Sequence, residues 1–279
     1  MRFFTRKIFP IILVFVVFIS TAFIVLKKNK ITLPTLKVTE KVNLDGYQLV
    51  FFDDFNEPEL DMSVWEHRQN GPWGYGFYGP NQVSLKDGNM VITAEYTTTE
   101  FGTAWHTGSI RLIERYKYGY FEVRCKPNKE NDFWSAFWLQ HPNAYKHELS
   151  QGGVHGAEID VFETFRNKDI TTQNFIESNI HCNGSNEDVE NIDSKRLTKA
   201  YVPNLTNTFT TFGLMWTETE YIFYVNGHET ERSSFGKGTS CELEEVILTL
   251  CIPKYEVTID KNLKPEFLID YLKIYQLAN

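Results

Sequence analysis

The feature that most constrains the fold is a succession of short β-type segments, separated by turn signals, that begins near Tyr47. Asp87-Gly88 and Asn226-Gly227 each lie between two β-rich runs, a pattern that indicates tight hairpins. The same stretch has no long helical periodicity. Strands without a helical layer bury their apolar faces against another sheet, so the sequence predicts one all-β sandwich. The other predicted strands are YGYFEVRCK, SAFWLQ, AEIDVFE, FIESNIHC, FTTFGLMW, VILTLCI and FLIDYLKIY.

The N-terminus predicts a segment of another kind. Residues 8–26 carry no charge and are flanked on both sides by basic residues, a run long enough to span a bilayer as a hydrophobic helix. We expect residues 1–30 to be an uncleaved signal anchor or, alternatively, a signal peptide cleaved near Ser20-Thr21-Ala22. Residues 31–44 then form a polar linker, and residues 45–279 the folded domain. Both interpretations export the domain, either anchored to the membrane at the cell surface or secreted.

The charge of the exported part indicates its partners. The chain has 28 Lys+Arg and 36 Asp+Glu, and residues 1–30 contain six of the basic residues and no acidic ones. The remainder therefore has 22 basic and 36 acidic residues, a net charge of −14. Such a body repels phosphate backbones and anionic lipid. We therefore expect a neutral ligand and no binding to nucleic acid. We also expect a monomer.

The four cysteines show neither a C-x-x-C pair nor a Cys/His spacing typical of zinc sites. The sequence therefore predicts no metal and no cofactor. Export would permit disulfides, but a domain of this size does not need them. Buried thiols are the favoured interpretation.

The stretch GAEIDVFETF contains three carboxylates at uneven spacing. Glu158 and Asp160 lie two apart and project from one face of a strand, whereas Glu163 lies five beyond Glu158 and would face the other way. A β-bulge at Val161–Phe162 would add one residue and return Glu163 to the face of the other two. We therefore predict a bulge there and three acids on one surface.

Two carboxyl groups that flank a scissile bond are the machinery of glycoside hydrolysis. On a bulged strand, the backbones of Glu158 and Glu163 would lie roughly 13 Å apart. Side chains that lean inward would approach the ~5–5.5 Å separation of retaining enzymes. Asp160, between them, could separate their pKa values. A solvated acidic strand face and a divalent-cation cluster are the alternatives.

The neighbouring strands carry residues that suit a glycan. Trp134 and Trp138 share one strand face, as do Glu122 and Arg124. Sugar rings pack their C–H faces on aromatic rings, and their hydroxyls pair with charged groups. The alternatives are a core position for each tryptophan and an exposed ion pair for Glu122 and Arg124.

With these flanks, the sequence strongly resembles glycoside hydrolase family 16. The resemblance runs from about Leu49 to Gln276 and is carried by FFDDFNEPELDMSVWEHR, YKYGYFEVRCKP, FWSAFWLQ, EIDVFE, FGLMWTETEYIFYVNG and IDYLKIYQ. It implies a concanavalin-like β-jelly-roll sandwich with a cleft across its concave sheet. It also implies endo-acting hydrolysis of a β-linked polysaccharide with retention of configuration.

The resemblance also implies roles for individual residues. Glu158 would be the nucleophile, Asp160 its electrostatic helper and Glu163 the acid/base. Trp134, Trp138 and Trp216 would line sugar subsites, with Glu122 and Arg124 nearby. His181 would touch the site, its alternative being a structural histidine.

The two residues between Asp160 and Glu163 match laminarinase-like β-1,3-glucanases and several galactan hydrolases, whereas lichenases have one. Phe133 and Ser135 depart from the glycine and proline that many members have around the tryptophan, which leaves sugar specificity open. The acidic body favours a neutral β-1,3- or mixed-linkage glucan. A transglycosylase, a galactan hydrolase and a non-catalytic glycan-binding sandwich remain alternatives.

Overall fold

The computed structural model describes residues 41–144, 153–164, 174–182, 193–234 and 238–278. Within these ranges the chain forms strands and one short 3₁₀ helix, Pro80–Gln82. The strands are β1 (Tyr47–Asp53), β2 (Trp65–His67), β3 (Gly71–Trp73), β4 (Gly76–Tyr78), β5 (Val83–Lys86), β6 (Asn89–Thr93), β7 (Glu95–Thr99), β8 (Gly102–Thr107), β9 (Ser109–Leu112), β10 (Gly119–Lys126), β11 (Trp134–Gln140), β12 (Glu158–Thr164), β13 (Phe175–Cys182), β14 (Asp193–Tyr201), β15 (Thr210–Trp216), β16 (Tyr221–Val225), β17 (His228–Ser233), β18 (Glu245–Cys251) and β19 (Glu266–Leu277).

Two large antiparallel sheets account for most of these strands. The first has the order β17-β16-β15-β10-β19-β6-β5, and β1 pairs with β19 beside β6. The second has the order β14-β13-β12-β11-β18-β9-β2. A smaller sheet, β3-β4-β8-β7, contains a parallel pair, β4 with β8. The chain therefore has the predicted all-β sandwich architecture.

The core lies between the two large sheets because each strand turns every second side chain inward. On β10 the inward-facing residues Phe121, Val123 and Cys125 are fully buried and belong to the main hydrophobic cluster. Phe162 of the seven-stranded sheet stacks on Phe212 of the eight-stranded sheet, with ring centroids 4.0 Å apart. This alternation leaves the other residues of each strand on the outer faces, where a binding site can form.

Both predicted hairpin turns are confirmed. Asp87 and Gly88 connect β5 to β6 with φ values of 53° and 70°. Asn226 and Gly227 connect β16 to β17 with φ values of 51° and 76°. Positive φ at both central residues defines a type I′ turn, which asparagine, aspartate and glycine adopt at the lowest cost.

The structure bears on the predicted linker and on the predicted N-terminal helix in different ways. Val42, in the predicted linker, donates its backbone N–H to the Gly227 carbonyl at 2.9 Å, and its side chain packs with Leu44 against the outer face of the eight-stranded sheet. The predicted N-terminal helix lies outside the described residues. Within the described ranges, no helix is long and apolar enough to cross a membrane.

Candidate active site

A cleft of about 1070 Å³ crosses the outer face of the seven-stranded sheet. Its floor consists of outward-facing residues of four adjacent strands, β13, β12, β11 and β18, in register. The three acids of β12 lie in this floor, as predicted. The residues on either side of them are Ala136, Trp138 and Gln140 of β11 and Glu177, Asn179 and His181 of β13.

The predicted β-bulge is confirmed at Val161–Phe162. Asp160 and Glu163 pair with residues only two apart on β13, which leaves Ser178 alone opposite both bulge residues. The Ser178 hydroxyl donates a hydrogen bond of 2.8 Å to the Val161 carbonyl, an acceptor in the irregular part of the ladder. The bulge therefore brings Glu163 to the cleft face.

Burial of two consecutive apolar side chains explains why the strand adopts this bulge. Val161 and Phe162 are 2% and 0% exposed, so both side chains enter the core. Full burial of such a side chain stabilises by about 1.5–3 kcal/mol. A lost ladder hydrogen bond costs only about 0.5–1.5 kcal/mol. The free energy gained by burying the two apolar side chains therefore exceeds the cost of the irregular ladder.

The carboxylates are held by hydrogen bonds from neighbouring strands. Gln140 donates its side-chain amide to Glu158, directly across the β11–β12 ladder. His181 Nε2 lies 3.1 Å from Asp160 Oδ2 and 3.8 Å from Glu158 Oε1. The histidine thus bridges two of the three acids from the opposite side.

Glu163 has a separate partner. The Asn179 amide donates to Glu163 Oε2 at 2.9 Å. Asn179 faces Asp160 in the β12–β13 register, so its side chain reaches along the ladder to the next acid. Each glutamate therefore accepts a hydrogen bond from an amide of a neighbouring strand, and Glu158 also lies 3.8 Å from His181 Nε2.

The electrostatic environment of the cluster shifts the pKa values of Glu158 and His181. Burial raises the pKa of Glu158 to about 7, the Asp160 charge adds to this rise, and His181, Gln140 and Arg68 oppose it. Burial alone would lower the pKa of His181. The hydrogen bond to Asp160 and the surrounding acids prevail and raise that pKa to about 9. His181 is therefore cationic at neutral pH and favours the ionised form of Glu158.

A network behind Glu158 was not predicted. Arg68 donates to the side-chain amide oxygen of Gln140, Oε1, and its Nε lies 3.3 Å from a carboxylate oxygen of Glu245. The centre of its guanidinium lies 4.6 Å from the centre of the Trp138 ring. Glu245 is 2% exposed in its side chain and also pairs with Arg111. The network thus orients the amide that contacts Glu158.

Two of the three predicted tryptophans lie in the cleft. Trp134 and Trp138 line it, and Trp138 donates its indole N–H to the Thr249 hydroxyl at 3.1 Å. Trp134 packs in a small cluster with Tyr78 and Cys251, outside the main core. Trp73 also lines the cleft and stacks on Tyr78. Trp134 is only 5% exposed, so the aromatic surfaces open to the cleft are those of the partly exposed Trp73 and Trp138.

The predicted place of Trp216 is wrong. Its side chain is 0% exposed, lies in the main core, and donates its indole N–H to the Ser240 carbonyl at 3.1 Å. Trp216 ends β15 of the eight-stranded sheet and points between the sheets. It therefore cannot line a sugar subsite on the outer face of the other sheet.

The predicted place of Glu122 and Arg124 is also wrong. Both lie on β10 of the eight-stranded sheet and point to its outer face, on the other side of the sandwich from the cleft. Glu122 accepts hydrogen bonds of 2.8 Å from the hydroxyls of Tyr120 and Tyr271. Arg124 pairs with Asp270. These contacts lie on the outer surface of the eight-stranded sheet, away from the cleft.

Comparison with known proteins identifies the family. The family model described as "Beta-porphyranase A-D, GH16 domain" matches residues 49–261. The chain is 28% identical over 211 residues to endo-1,3-1,4-β-glycanase ExsH of Rhizobium meliloti (strain 1021), and the aligned stretch covers 71% of this chain and 40% of ExsH. It is 30% identical over 181 residues to a β-glucanase of Brevibacillus brevis, and this aligned stretch covers 63% of this chain and 60% of that protein. The chain thus spans less than two thirds of the length of these relatives.

A solved structure shows the same fold. The laminarinase catalytic domain from Thermotoga maritima MSB8 superimposes with a TM-score of 0.68 at 19% identity, over 84% of this chain and 99% of that chain. The β-jelly-roll sandwich predicted from the sequence is therefore confirmed. The family match covers most of the chain and includes the three carboxylates of the bulged strand. The chain belongs to glycoside hydrolase family 16.

Proposed function

We propose that this protein is a retaining, endo-acting hydrolase of a β-linked polysaccharide, namely a β-1,3- or mixed-linkage β-glucan. The observation that carries the proposal is the bulged strand β12, which presents two glutamates and an aspartate on the floor of one cleft. Aromatic side chains beside this floor offer stacking surfaces for sugar rings. The β-glucanase of Brevibacillus brevis supports a β-glucan as the substrate, and the name of ExsH supports β-1,3 and β-1,4 linkages.

In this mechanism the two glutamates have different tasks. Glu158 attacks the anomeric carbon and forms a covalent glycosyl-enzyme, while Glu163 donates a proton to the departing glycosidic oxygen. Glu163 then removes a proton from water, which displaces Glu158 and restores the original configuration. The amide of Asn179 supports the position of Glu163, and that of Gln140 supports the position of Glu158.

Asp160 and His181 control the protonation of the nucleophile. Glu158 must be ionised to attack, but burial and the neighbouring Asp160 raise its pKa to about 7. The cationic His181 counteracts this rise and binds Asp160 at the same time. His181 is therefore a positioning residue whose charge favours the reactive form of Glu158.

Replacing His181 by glutamine is expected to move the acid limb of the kcat/KM–pH profile to higher pH. The substitution removes a positive charge that lowers the pKa of Glu158, so a smaller fraction of Glu158 is ionised at pH 7. Activity at pH 6 should fall more than activity at pH 8. The pH–rate profile of the variant measures the shift.

His228→Gln is the matched control, because His228 lies on β17 of the other sheet. Its profile should coincide with that of the unsubstituted protein. A His181→Gln variant that loses activity equally at every pH would contradict the electrostatic role and leave a structural one.

A hydrolase of anionic galactans is the second candidate, and two observations favour it. The matching family model carries the name of β-porphyranases. The body of the protein is acidic, yet four arginine and lysine side chains also line the cleft: Arg68, Arg111, Arg115 and Lys254. The first three share the buried carboxylate of Glu245, which offsets part of their charge. The neutral glucan remains the first choice for this reason.

A substrate panel separates the candidates. We expect the full chain to cleave laminarin or lichenan internally, which lowers viscosity faster than it releases small sugars. Nuclear magnetic resonance of the first products should show the β anomer. Cleavage of porphyran alone would establish the anionic-galactan candidate, whereas cleavage of agarose alone would establish a neutral galactan as the substrate. Products longer than the substrate would establish transglycosylation, and binding without any cleavage would contradict an enzymatic function.

A further inference from the structure

A second cluster of chemically reactive side chains lies outside the cleft. It consists of His155, Cys241 and Glu242, here called the His155 cluster, and none of the three lines the cleft. His155 Nδ1 lies 3.2 Å from Glu242 Oε1 and 3.9 Å from Cys241 Sγ. Cys241 Sγ lies 3.8 Å from the same glutamate oxygen. One nitrogen, one sulfur and one oxygen thus form a triangle in which the two sides that meet at the sulfur are nearly equal and the nitrogen–oxygen side is shorter.

The size of this triangle matches a tetrahedral zinc site. Zinc binds sulfur at ~2.3 Å and nitrogen or oxygen at ~2.0–2.2 Å, so ligand atoms on a tetrahedron lie roughly 3.3–3.6 Å apart. The three measured separations depart from this range by only a few tenths of an ångström. Small side-chain rotations are therefore enough to admit the ion.

Backbone contacts hold the two segments of the cluster together. The Cys241 N–H donates to the Val154 carbonyl at 2.8 Å. The carboxylate of Glu244, which is fully buried, accepts from the Ala157 N–H at 3.1 Å and from the Ser240 hydroxyl. The two segments are thus joined on both sides of the cluster, so the three ligands do not have to be brought together when an ion binds.

We propose that the His155 cluster binds a zinc ion, with water as the fourth ligand. A mixed nitrogen, sulfur and oxygen set suits Zn²⁺, whereas Ca²⁺ and Mg²⁺ prefer oxygen ligands. The His155 and Glu242 side chains are 45% and 41% exposed, which leaves a path for the ion and room for the water. On binding, the Cys241 S–H bond breaks, the S–Zn bond forms, and the proton passes to solvent.

The bound ion would connect two segments that lead into the cleft. The first, residues 153–157, continues directly into Glu158, and the second, residues 238–244, continues into Glu245. Zinc would thus stabilise the folded protein next to the nucleophile without contact to the substrate. The sequence predicted no metal site because 86 positions separate His155 from Cys241.

Metal binding to the full chain, reduced and stripped with a chelator, tests the proposal. We expect one equivalent of Zn²⁺ to bind and to raise the midpoint of thermal unfolding. Co²⁺, used as a coloured probe, should give a thiolate-to-cobalt absorption band. Cys241→Ser should abolish this band, and His155→Gln should weaken zinc binding at least tenfold.

Two controls locate the ion. His228→Gln should leave binding unchanged, because His228 lies in the other large sheet. Glu158→Gln should also leave it unchanged, although Glu158, Asp160 and His181 form another group that could hold an ion. Circular dichroism of the metal-free variants verifies that each is folded. Zinc binding that survives Cys241→Ser, or is lost in Glu158→Gln, would overturn the proposal, as would the absence of stoichiometric binding.

Discussion

Glu158→Gln is expected to lower kcat for β-glucan hydrolysis on the order of 10⁴-fold or more, in line with the loss of a covalent nucleophile in other hydrolases. The amide has nearly the shape of the carboxylate but cannot attack the anomeric carbon. It can still accept the hydrogen bond that Gln140 donates, so the cleft should keep its geometry. Oligosaccharide binding, measured by calorimetry, should remain within a few-fold of the unsubstituted protein.

The same substitution should not lower the stability of the fold. The pKa of Glu158 is raised from 4.5 to about 7, so the folded protein holds this proton more tightly than the unfolded chain does. The resulting stabilisation is present below about pH 4.5 and is lost as the pH rises towards 7. A neutral amide avoids the cost of a buried charge at pH 7. The thermal midpoint of the variant at that pH should therefore be no lower than that of the unsubstituted protein.

Glu122→Gln is the matched control for this experiment. It makes the same chemical change at a residue that sequence reasoning assigned to the site and the structure places on the opposite sheet. Its kcat and KM should both be unchanged. Full turnover by Glu158→Gln would remove Glu158 from the mechanism.

The two alanine variants Glu158→Ala and Glu163→Ala should give azide products of opposite configuration. Without Glu158, azide can attack the sugar directly from the vacated side and yield an inverted α-azide. Without Glu163, the nucleophile still forms the covalent intermediate when the substrate carries a good leaving group. Azide then displaces it and yields a retained β-azide.

The reaction uses an activated aryl β-oligosaccharide, and nuclear magnetic resonance of the isolated azides gives their configuration. Glu163→Ala should lose on the order of 10²–10⁴-fold on natural glucan, the usual contribution of a general acid, and much less on the activated substrate. Asp160→Asn serves as the comparison, since it removes a neighbouring charge but leaves both glutamates. Azides of the same configuration from both alanine variants would contradict the assignment of roles.

The sequence was sufficient to predict most strands of the two large sheets, two hairpins and the bulge, because each depends on a short stretch of chain. Strands β9 and β14 and the four strands of the small sheet, β3, β4, β7 and β8, were not predicted. The alternation of apolar residues determines which side chains share a face of a strand. The irregular spacing of Glu158, Asp160 and Glu163 therefore predicted the bulge at Val161–Phe162. The cleft positions of Gln140 and Asn179 follow from the same rule, applied to SAFWLQ and FIESNIHC.

The errors concern which sheet a strand joins. Trp216 was assigned to the site from the family resemblance, and Glu122 and Arg124 from their shared strand face as well. Alternation alone does not say whether β10 and β15 belong to the sheet that carries the cleft. Their sheet is determined by pairing between strands that are distant in sequence. The contact between Arg68 and Glu245, 177 positions apart, was missed for the same reason.

The pairing of β19 has a consequence for the order in which the chain can fold. One edge of β19 pairs with β10, and the other pairs with both β1 and β6, so Tyr47 lies opposite Leu277. During synthesis from the N-terminus, these three strands must wait for residues 266–277 before their common partner exists. Until then their edges are open to non-native pairing and to aggregation. Pairing between strands so distant in sequence is slow. We therefore expect the sandwich to fold only after residues 266–277 have been synthesised.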